Sequence, residues 1–211
     1  MLVKSRKQQT GASLIELLIA LAIGVTAISA LAGLVGYGMG VNAKLLASSR
    51  LNEEVGNVMT LITRDVRRAG YNGSTLVMIA DPAANPSPFA GTLQISEFPG
   101  ELLNSCIVFA YDDNNNGVMD VAAGVNENYG YRLRNGVVEM RTNGLQCADL
   151  GWIPLTDPGM TVVTSLTFVL NQIIENGIAA NEITISLQAQ LVADNAISRR
   201  FDSSFVVRNY D

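Results

Sequence analysis

The feature that most constrains this chain is an uncharged stretch near its N-terminus. Residues 17–43 contain no Asp, Glu, Lys or Arg, which makes 27 consecutive uncharged positions. As an α-helix they would be about 40 Å long, because each residue adds about 1.5 Å, and that length is enough to cross a bilayer. Lys4, Arg6 and Lys7 precede the stretch, and the next basic residue is Lys44. The positive-inside rule therefore predicts a cytoplasmic N-terminus and a remainder outside the cytoplasm.

Three interpretations fit such a segment: an uncleaved signal anchor, a secretory signal peptide that is removed, and a short leader joined to a helix that is kept. Ala30-Leu31-Ala32 before Gly33 matches the small-x-small site of signal peptidase. Glu16, however, lies at the start of the apolar run, where an ionisable group is costly and usually has a function. A generic signal peptide has no need of this carboxylate, so Glu16 favours the helix that is kept.

Composition argues against two broad function classes. The 211 residues are 48% hydrophobic, enough to build a core, and carry a formal net charge of −5. Removal of a leader with Lys4, Arg6 and Lys7 leaves −8, so nucleic acid is not an expected partner. The sequence has no histidine, which removes the commonest general base, the usual Ser and Cys triads and most zinc sites. We therefore do not expect an enzyme.

The residues around Glu16 carry a family resemblance. Residues 11–16 read Gly-Ala-Ser-Leu-Ile-Glu, after a short basic leader and before an apolar run. This pattern resembles the prepilin peptidase site of type IV pilins and type II secretion pseudopilins. The resemblance implies cleavage after Gly11 by prepilin peptidase and N-methylation of Ala12, which stands where the family usually has phenylalanine.

The resemblance also gives Glu16 a role in assembly. In a bundle of packed helices, a carboxylate in a low-dielectric setting needs a partner, and the N-terminal ammonium of a neighbouring subunit can supply it. Such pairing would set the axial register of the filament. The alternative is a carboxylate that lies at the lipid headgroup boundary and contacts only water.

The expected fold is α+β and type IV pilin-like, with a long N-terminal helix packed against an antiparallel β-sheet head. Residues 1–11 are the predicted leader, and residues 12–70 a helix with a membrane-spanning half and an amphipathic half. Residues 71–211 are the predicted periplasmic head. The amphipathic half is indicated by apolar residues three or four positions apart: Leu51, Val55, Val58, Ile62 and Val66. Gly70 is the expected helix stop.

Strand signals dominate the head. Residues 80–88 include three prolines and predict a surface connection. Asn135-Gly136 predicts a hairpin turn. Segments rich in β-branched and aromatic residues predict strands at 106–111, 129–133, 137–142, 161–170, 183–191 and 201–207.

The two cysteines, Cys106 and Cys147, are far apart and form no Cys-x-x-Cys motif. If the head is exported, an isolated disulfide between them is the simplest interpretation. The alternative is two unrelated buried thiols.

Residues 112–120 read Asp-Asp-Asn-Asn-Asn-Gly-Val-Met-Asp and resemble the first part of a calcium loop. The twelfth position is Ala123 instead of the usual glutamate, so Glu127 or Asp113 would have to complete the shell of a structural Ca²⁺. The alternative is an Asx-rich loop whose side chains cap its own backbone amides. The candidate ligands are side-chain oxygens and one carbonyl: Asp112, Asn114, Asn116, Asp120 and Val118.

Several segments of the head resemble PilW-type minor pilins and the related J-type pseudopilins: residues 64–73, 152–156 and 205–209. The resemblance implies a structural subunit that primes pilus assembly, with other minor pilins, the major pilin, prepilin peptidase and the inner membrane as partners. Its predicted location is the inner membrane, with a single pass and a periplasmic head, and then the pilus fibre. The alternatives are a J-type pseudopilin, a filament-borne calcium-dependent adhesin, and a soluble protein released after Ala32.

Overall fold

The computed structural model of the chain describes residues 11, 13–81, 83–175 and 178–207. The described helices are α1 (Leu14–Val66) and α2 (Thr75–Ala80). The described strands are β1 (Gln94–Ser96), β2 (Cys106–Ala110), β3 (Asn128–Arg134), β4 (Val137–Met140), β5 (Ile153–Pro154), β6 (Thr161–Glu175), β7 (Ile178–Leu191) and β8 (Ser198–Val207).

The chain divides between Leu46 and Ala47 into two compact units. Helix α1 contributes residues to both. In the first unit, α1 is apolar and its large side chains are exposed. In the second unit, the rest of α1 shares one hydrophobic core with strands β2, β3, β4, β6, β7 and β8.

The C-terminal half of α1 has a helical apolar stripe that faces the sheets. The five stripe residues anticipated from their spacing, Leu51, Val55, Val58, Ile62 and Val66, are all buried. They pack with inward side chains of the strands, which include Phe109, Leu166, Phe168, Ile183 and Ile185. Burial of this apolar surface holds the helix on the head.

The strands form two antiparallel sheets. The first has the order β1-β2-β3-β4-β5, and the second has the order β6-β7-β8. Strands β3 and β4 are joined by Asn135 and Gly136, which have φ angles of 50° and 75°. This two-residue turn with both φ angles positive is the hairpin that the Asn-Gly pair predicts.

Helix α1 ends at Val66 and is followed by a turn over residues 67–70. Gly70 has a φ of 75°, and its N–H donates to the carbonyl of Ala110 at 2.9 Å. Glycine tolerates this left-handed conformation, so the chain leaves the helix here and joins the end of β2.

The predicted α+β fold class is confirmed, with the long N-terminal helix packed against antiparallel sheets. Two sheets are present where the sequence suggested a single sheet region. The short elements α2, β1 and β5 were not anticipated, and β6 and β7 extend further than their predicted ranges. Residues 208 and 209 of the predicted C-terminal motif and Pro82 of the proline-rich segment lie outside the described residues.

Candidate functional site

The N-terminal part of α1 presents apolar side chains in every direction. Leu14, Leu17, Ile28 and Leu34 each have more than half of their surface exposed. By length and composition this helix could cross a membrane, although a signal sequence would meet the same criteria. An apolar surface of this extent is normally covered by lipid or by other helices.

The predicted processing site lies directly before this helix. Gly11 is exposed and non-helical, and a Cβ added there would meet no atom within 4 Å. The backbone at this glycine is therefore accessible. Ala12, the predicted first residue of the mature chain and methylation site, lies outside the described residues, as does the leader before Gly11.

Glu16 lies in the first turn of α1 and is exposed. Its Oε2 accepts a hydrogen bond from the backbone N–H of Ser13 at 3.1 Å. This is one half of a capping box, in which a glutamate three residues into the helix satisfies an N-terminal amide. Cleavage after Gly11 would create the new ammonium one residue before this amide.

Asp112 connects the end of α1 to the loop that follows β2. Its side chain is fully buried, and its two carboxylate oxygens accept hydrogen bonds from the backbone of Gly73, Asn116 and Gly117. The Asp112 N–H in turn donates to the carbonyl of Tyr71 at 2.9 Å. One carboxylate thus joins the segment after the helix to residues 112–117.

The two segments held by Asp112 are in close contact. A Cβ added at Gly73 would lie 2.8 Å from the Cα of Asn115, and one at Gly117 would lie 2.0 Å from Ser74 Oγ. Gly117 also has a φ of 77°. Side chains at these glycines would force the segments apart.

The charge state of Asp112 follows from these hydrogen bonds. Burial raises the pKa of its carboxyl, but the backbone N–H groups of Gly73 and Gly117 stabilise the charged form and lower it. Further backbone hydrogen bonds from Asn115 and Asn116 act in the same direction. The pKa of Asp112 therefore lies below its ordinary value.

The other candidate calcium ligands also take part in hydrogen bonds. The side-chain nitrogens of Asn114 and Asn116 donate to Asp120 Oδ2, at 2.7 Å and 3.0 Å. Asn116 Oδ1 accepts from the N–H of Val118, and the buried Glu127 accepts from the backbone of Asp113 and Asp120. The oxygen-rich residues thus satisfy the backbone of their own loop.

This arrangement is an Asx-rich loop stabilised by hydrogen bonds. Within the described ranges, no three Asp, Glu, Cys or His side chains are placed to hold a metal ion. To coordinate Ca²⁺, Asp112 would have to release backbone amides, and Asn114 and Asn116 would have to turn oxygens inward. Calcium binding by this loop stays a prediction.

A disulfide joins Cys106 of β2 to Cys147, with their Cα atoms 6.1 Å apart. The bridge is buried in a small separate core with Val108 and Trp152. Trp152 Nε1 donates to the carbonyl of Gln146 at 3.2 Å. The bridge and the indole therefore fix the loop between β4 and β5 to the outer face of the five-stranded sheet.

A fully buried arginine completes this small core. Arg132 lies against the rings of Trp152 and Phe98, 4.4 Å and 4.9 Å from their centroids. Its Nε donates to Glu139 at 2.7 Å, and its Nη1 donates to the carbonyls of Cys147 and Asp149. A charge this deeply buried is tolerated because these groups pair with it.

Arg132 and Glu139 were not predicted from the sequence, although a signal for the pair was present. The predicted two-residue turn at Asn135-Gly136 fixes the register of the hairpin, which places Arg132 directly opposite Glu139. Opposite charges at facing positions of a predicted hairpin therefore indicated an ion pair.

Two acidic residues of α1 that contact the head were also not predicted from the sequence. Asp65 is buried and accepts a hydrogen bond from Tyr131 at 2.5 Å, and burial of the Tyr131 hydroxyl, together with this hydrogen bond, raises the pKa of Tyr131. Glu54 accepts hydrogen bonds from the N–H of Asp157 and from the hydroxyl of Thr161. These partners are distant in sequence, so no local pattern indicates them.

The family of the chain follows from its head. The family described as prepilin peptidase-dependent protein B has a model that matches residues 44–207. The chain belongs to this family. No curated protein and no solved structure matches the chain significantly.

The family match and the N-terminal motif are independent of each other. The match begins at residue 44, whereas the motif occupies residues 11–16. The description of this family indicates an association with type IV pili and related secretion systems. Both parts of the chain therefore indicate the same class of protein.

Proposed function

We propose that this protein is a minor pilin of a type IV pilus, most similar to the PilW type. In this role it helps to prime filament assembly together with other minor pilins and the major pilin. Prepilin peptidase removes residues 1–11 and Ala12 is methylated. Before assembly the apolar half of α1 lies in the inner membrane with the head in the periplasm, and afterwards it lies in the fibre.

The observation that carries the proposal is the uninterrupted α1 helix. Its N-terminal part exposes apolar side chains on all sides, whereas its C-terminal part is fixed in the core of the head. Such a helix can exchange lipid for neighbouring helices without any change in the head, because both surroundings are apolar. Assembly and disassembly of a filament require this exchange.

The prediction for Glu16 tests the mechanism. We expect Glu16→Ala and Glu16→Gln to leave the leader cleavable and the head folded, since neither depends on this exposed carboxylate. Recruitment into a complex with other pilins should fail, because removal of one member of a desolvated ion pair costs about 3 to 5 kcal/mol. The measurement is co-purification with other minor pilins, together with a count of surface filaments.

Glu53→Gln is the matched control, since Glu53 is exposed on the head part of the same helix. Unchanged co-purification and piliation of both Glu16 variants would mean that this carboxylate only rests at the headgroup boundary. Loss of protein secretion with normal surface filaments would instead identify a J-type pseudopilin of the type II secretion system.

A further inference from the structure

The second sheet has one open edge. Its strand β8 is ten residues long and pairs with β7, and no described residue forms a strand on its other side. The opposite edge, β6, is partly covered: Val163 N–H donates to Gly136, and Phe168 N–H donates to Asn104. In the first sheet the edge strands have only three and two residues. Strand β8 is therefore the edge that can accept another strand.

A groove lies beside this edge, between β8 and α1. It has a volume of about 430 Å³, which is within the range of binding pockets of roughly 300 to 1,000 Å³. Inward side chains of β8 alternate along the strand, and the small Ser203 lies between Phe201 and the buried Phe205. The described lining residues are Met59, Thr60, Thr63, Arg64, Arg67 and Ser203.

A fourth strand paired with β8 would run beside this groove. A strand added to β8 would send every second side chain toward α1, because side chains alternate between the two faces of a sheet. Thr60 and Arg67 are exposed on this flank of the helix, while Met59 forms the buried floor. An added strand would thus form main-chain hydrogen bonds with β8, and its side chains would pack in the groove.

Charge indicates which kind of strand would fit. Two of the lining residues, Arg64 and Arg67, are cationic, and the described lining contains no carboxylate. Arg64 pairs with Asp65, whereas Arg67 lies over the ring of Phe205 at 4.9 Å and pairs with no carboxylate of the described residues. An acidic side chain on the incoming segment would give Arg67 a partner.

A second copy of this chain fits the edge poorly. Symmetric antiparallel pairing of two β8 strands would bring the Phe205 end of one copy, with Arg67, to the Ser198 end of the other. That end carries Arg199, whereas the neighbouring Arg200 pairs with Asp202. Like charges would then face each other across the interface, which disfavours this pairing.

We propose that the β8 edge and its groove bind an extended segment with an acidic side chain from the head of a neighbouring pilin-like subunit. This inference rests on the proposed function and adds a specific contact to it. The contact is made outside the membrane, on the head, and is separate from the pairing of Glu16.

The test uses the full-length protein in the cells that produce it, with the photo-cross-linking residue p-benzoylphenylalanine at Thr60. The same residue at Arg50, which is exposed elsewhere on α1, is the control. We expect Thr60 to cross-link at least about tenfold more than Arg50 to another pilin-like subunit, at a head peptide with Asp or Glu. Cross-linking to a second copy of this chain, or equal yields at both positions, would overturn the proposal.

Two substitutions test the groove by co-purification with pilin-like subunits. Arg67→Glu reverses the unpaired charge and Thr60→Tyr fills the groove, and we expect each to lower recovery about tenfold. Arg50→Glu is the matched control and should leave recovery unchanged. Thr60→Tyr keeps the proposal testable if Arg67→Glu disturbs the packing on Phe205.

The outcomes distinguish this inference from the proposed function. Full recovery with both folded groove variants would overturn the groove contact while the minor pilin role stands. If the unmutated protein recovers no pilin-like subunit, both proposals fail.

Discussion

At the residue scale, the buried side chain of Asp112 joins two segments of the head. Its buried carboxylate accepts backbone hydrogen bonds from Gly73, 39 residues earlier in the sequence, and from Asn116 and Gly117 of its own loop. Its N–H completes the junction by donating to Tyr71. Asp112 therefore joins the segment after α1 to the loop after β2, beside the surface contacts of Arg68 with Asp113 and of Tyr71 with Asn115.

Substitution of Asp112 should change how the stability of the protein depends on pH in the acid range. Because the folded pKa of Asp112 lies below that of the unfolded chain, about 3.9, its charge stabilises the fold above that pH. This contribution is lost as the pH falls through the lower folded value. Asp112→Asn should lower the free energy of unfolding at pH 7 by about 1 to 3 kcal/mol and flatten the acid limb of its pH dependence.

The measurement is equilibrium unfolding of the full chain in detergent between about pH 2 and pH 7. Asp113→Asn is the control, since the adjacent carboxylate is half exposed and pairs with Arg68 on the surface. We expect this control to cost less than about 1 kcal/mol. Equal losses for the two variants would show that Asp112 has no special role.

Calcium binding by residues 112–120 is a separate prediction. An ion bound only by the folded state raises stability by RT ln(1 + [L]/Kd), so millimolar calcium should raise the Tm of the calcium-stripped protein. The double substitution Asp112→Ala with Asp120→Ala should remove this gain. If the unmutated protein has the same Tm with and without calcium, the loop does not bind the ion and is only a hydrogen-bonded turn.

At the element scale, the disulfide and Arg132 act together on the loop that precedes β5. The bridge spans 41 residues of sequence. In the chain-entropy model, closure of such a loop stabilises the fold by about 4 kcal/mol. We therefore expect Cys106→Ala with Cys147→Ala to lower the free energy of unfolding by that order.

Chemical denaturation of the oxidised protein and the double variant measures this effect. Because none of the described residues of β6, β7 or β8 belongs to the bridge core, the loss should be confined to stability, with the β-sheet circular dichroism of the folded state retained. Two free thiols in the denatured, unreduced protein would contradict the pairing itself.

The elements that the sequence predicted are those with strong periodicity or turn chemistry. The stripe from Leu51 to Val66 and the Asn135-Gly136 turn both carry local signals, and both are found in the structure. Strands β1 and β5 have three and two residues, too few for a pattern, and Pro154 opposes a strand assignment. Residues 171–174 at the end of β6 are largely exposed, so no alternation of burial marks them.

The division into two sheets and the contacts of the site were not predicted, because they depend on pairing between residues that are far apart in the sequence. Asp65 contacts Tyr131 and Glu54 contacts Thr161, at sequence separations of 66 and 107. No local pattern reports such contacts. Arg132 and Glu139 are different, because the predicted hairpin already set their register.

At the scale of the whole molecule, one helix serves two different environments. The apolar residues before Leu46 have no core to enter in their own unit, and the residues after Ala47 are held by the head. A secreted soluble protein would lose the first part, whereas a filament subunit would need it. The fate of the N-terminus therefore decides between the two.

The central claim is tested most directly by N-terminal sequencing of the mature protein isolated from membranes. Cleavage after Gly11 predicts a sequence that begins at Ala12, and Gly11→Ala should retain the leader, because the peptidase must approach a backbone without a Cβ. A sequence that begins at Gly33 would indicate a protein released by signal peptidase. One that begins at Met1 would indicate an uncleaved anchor, and either result would contradict the account.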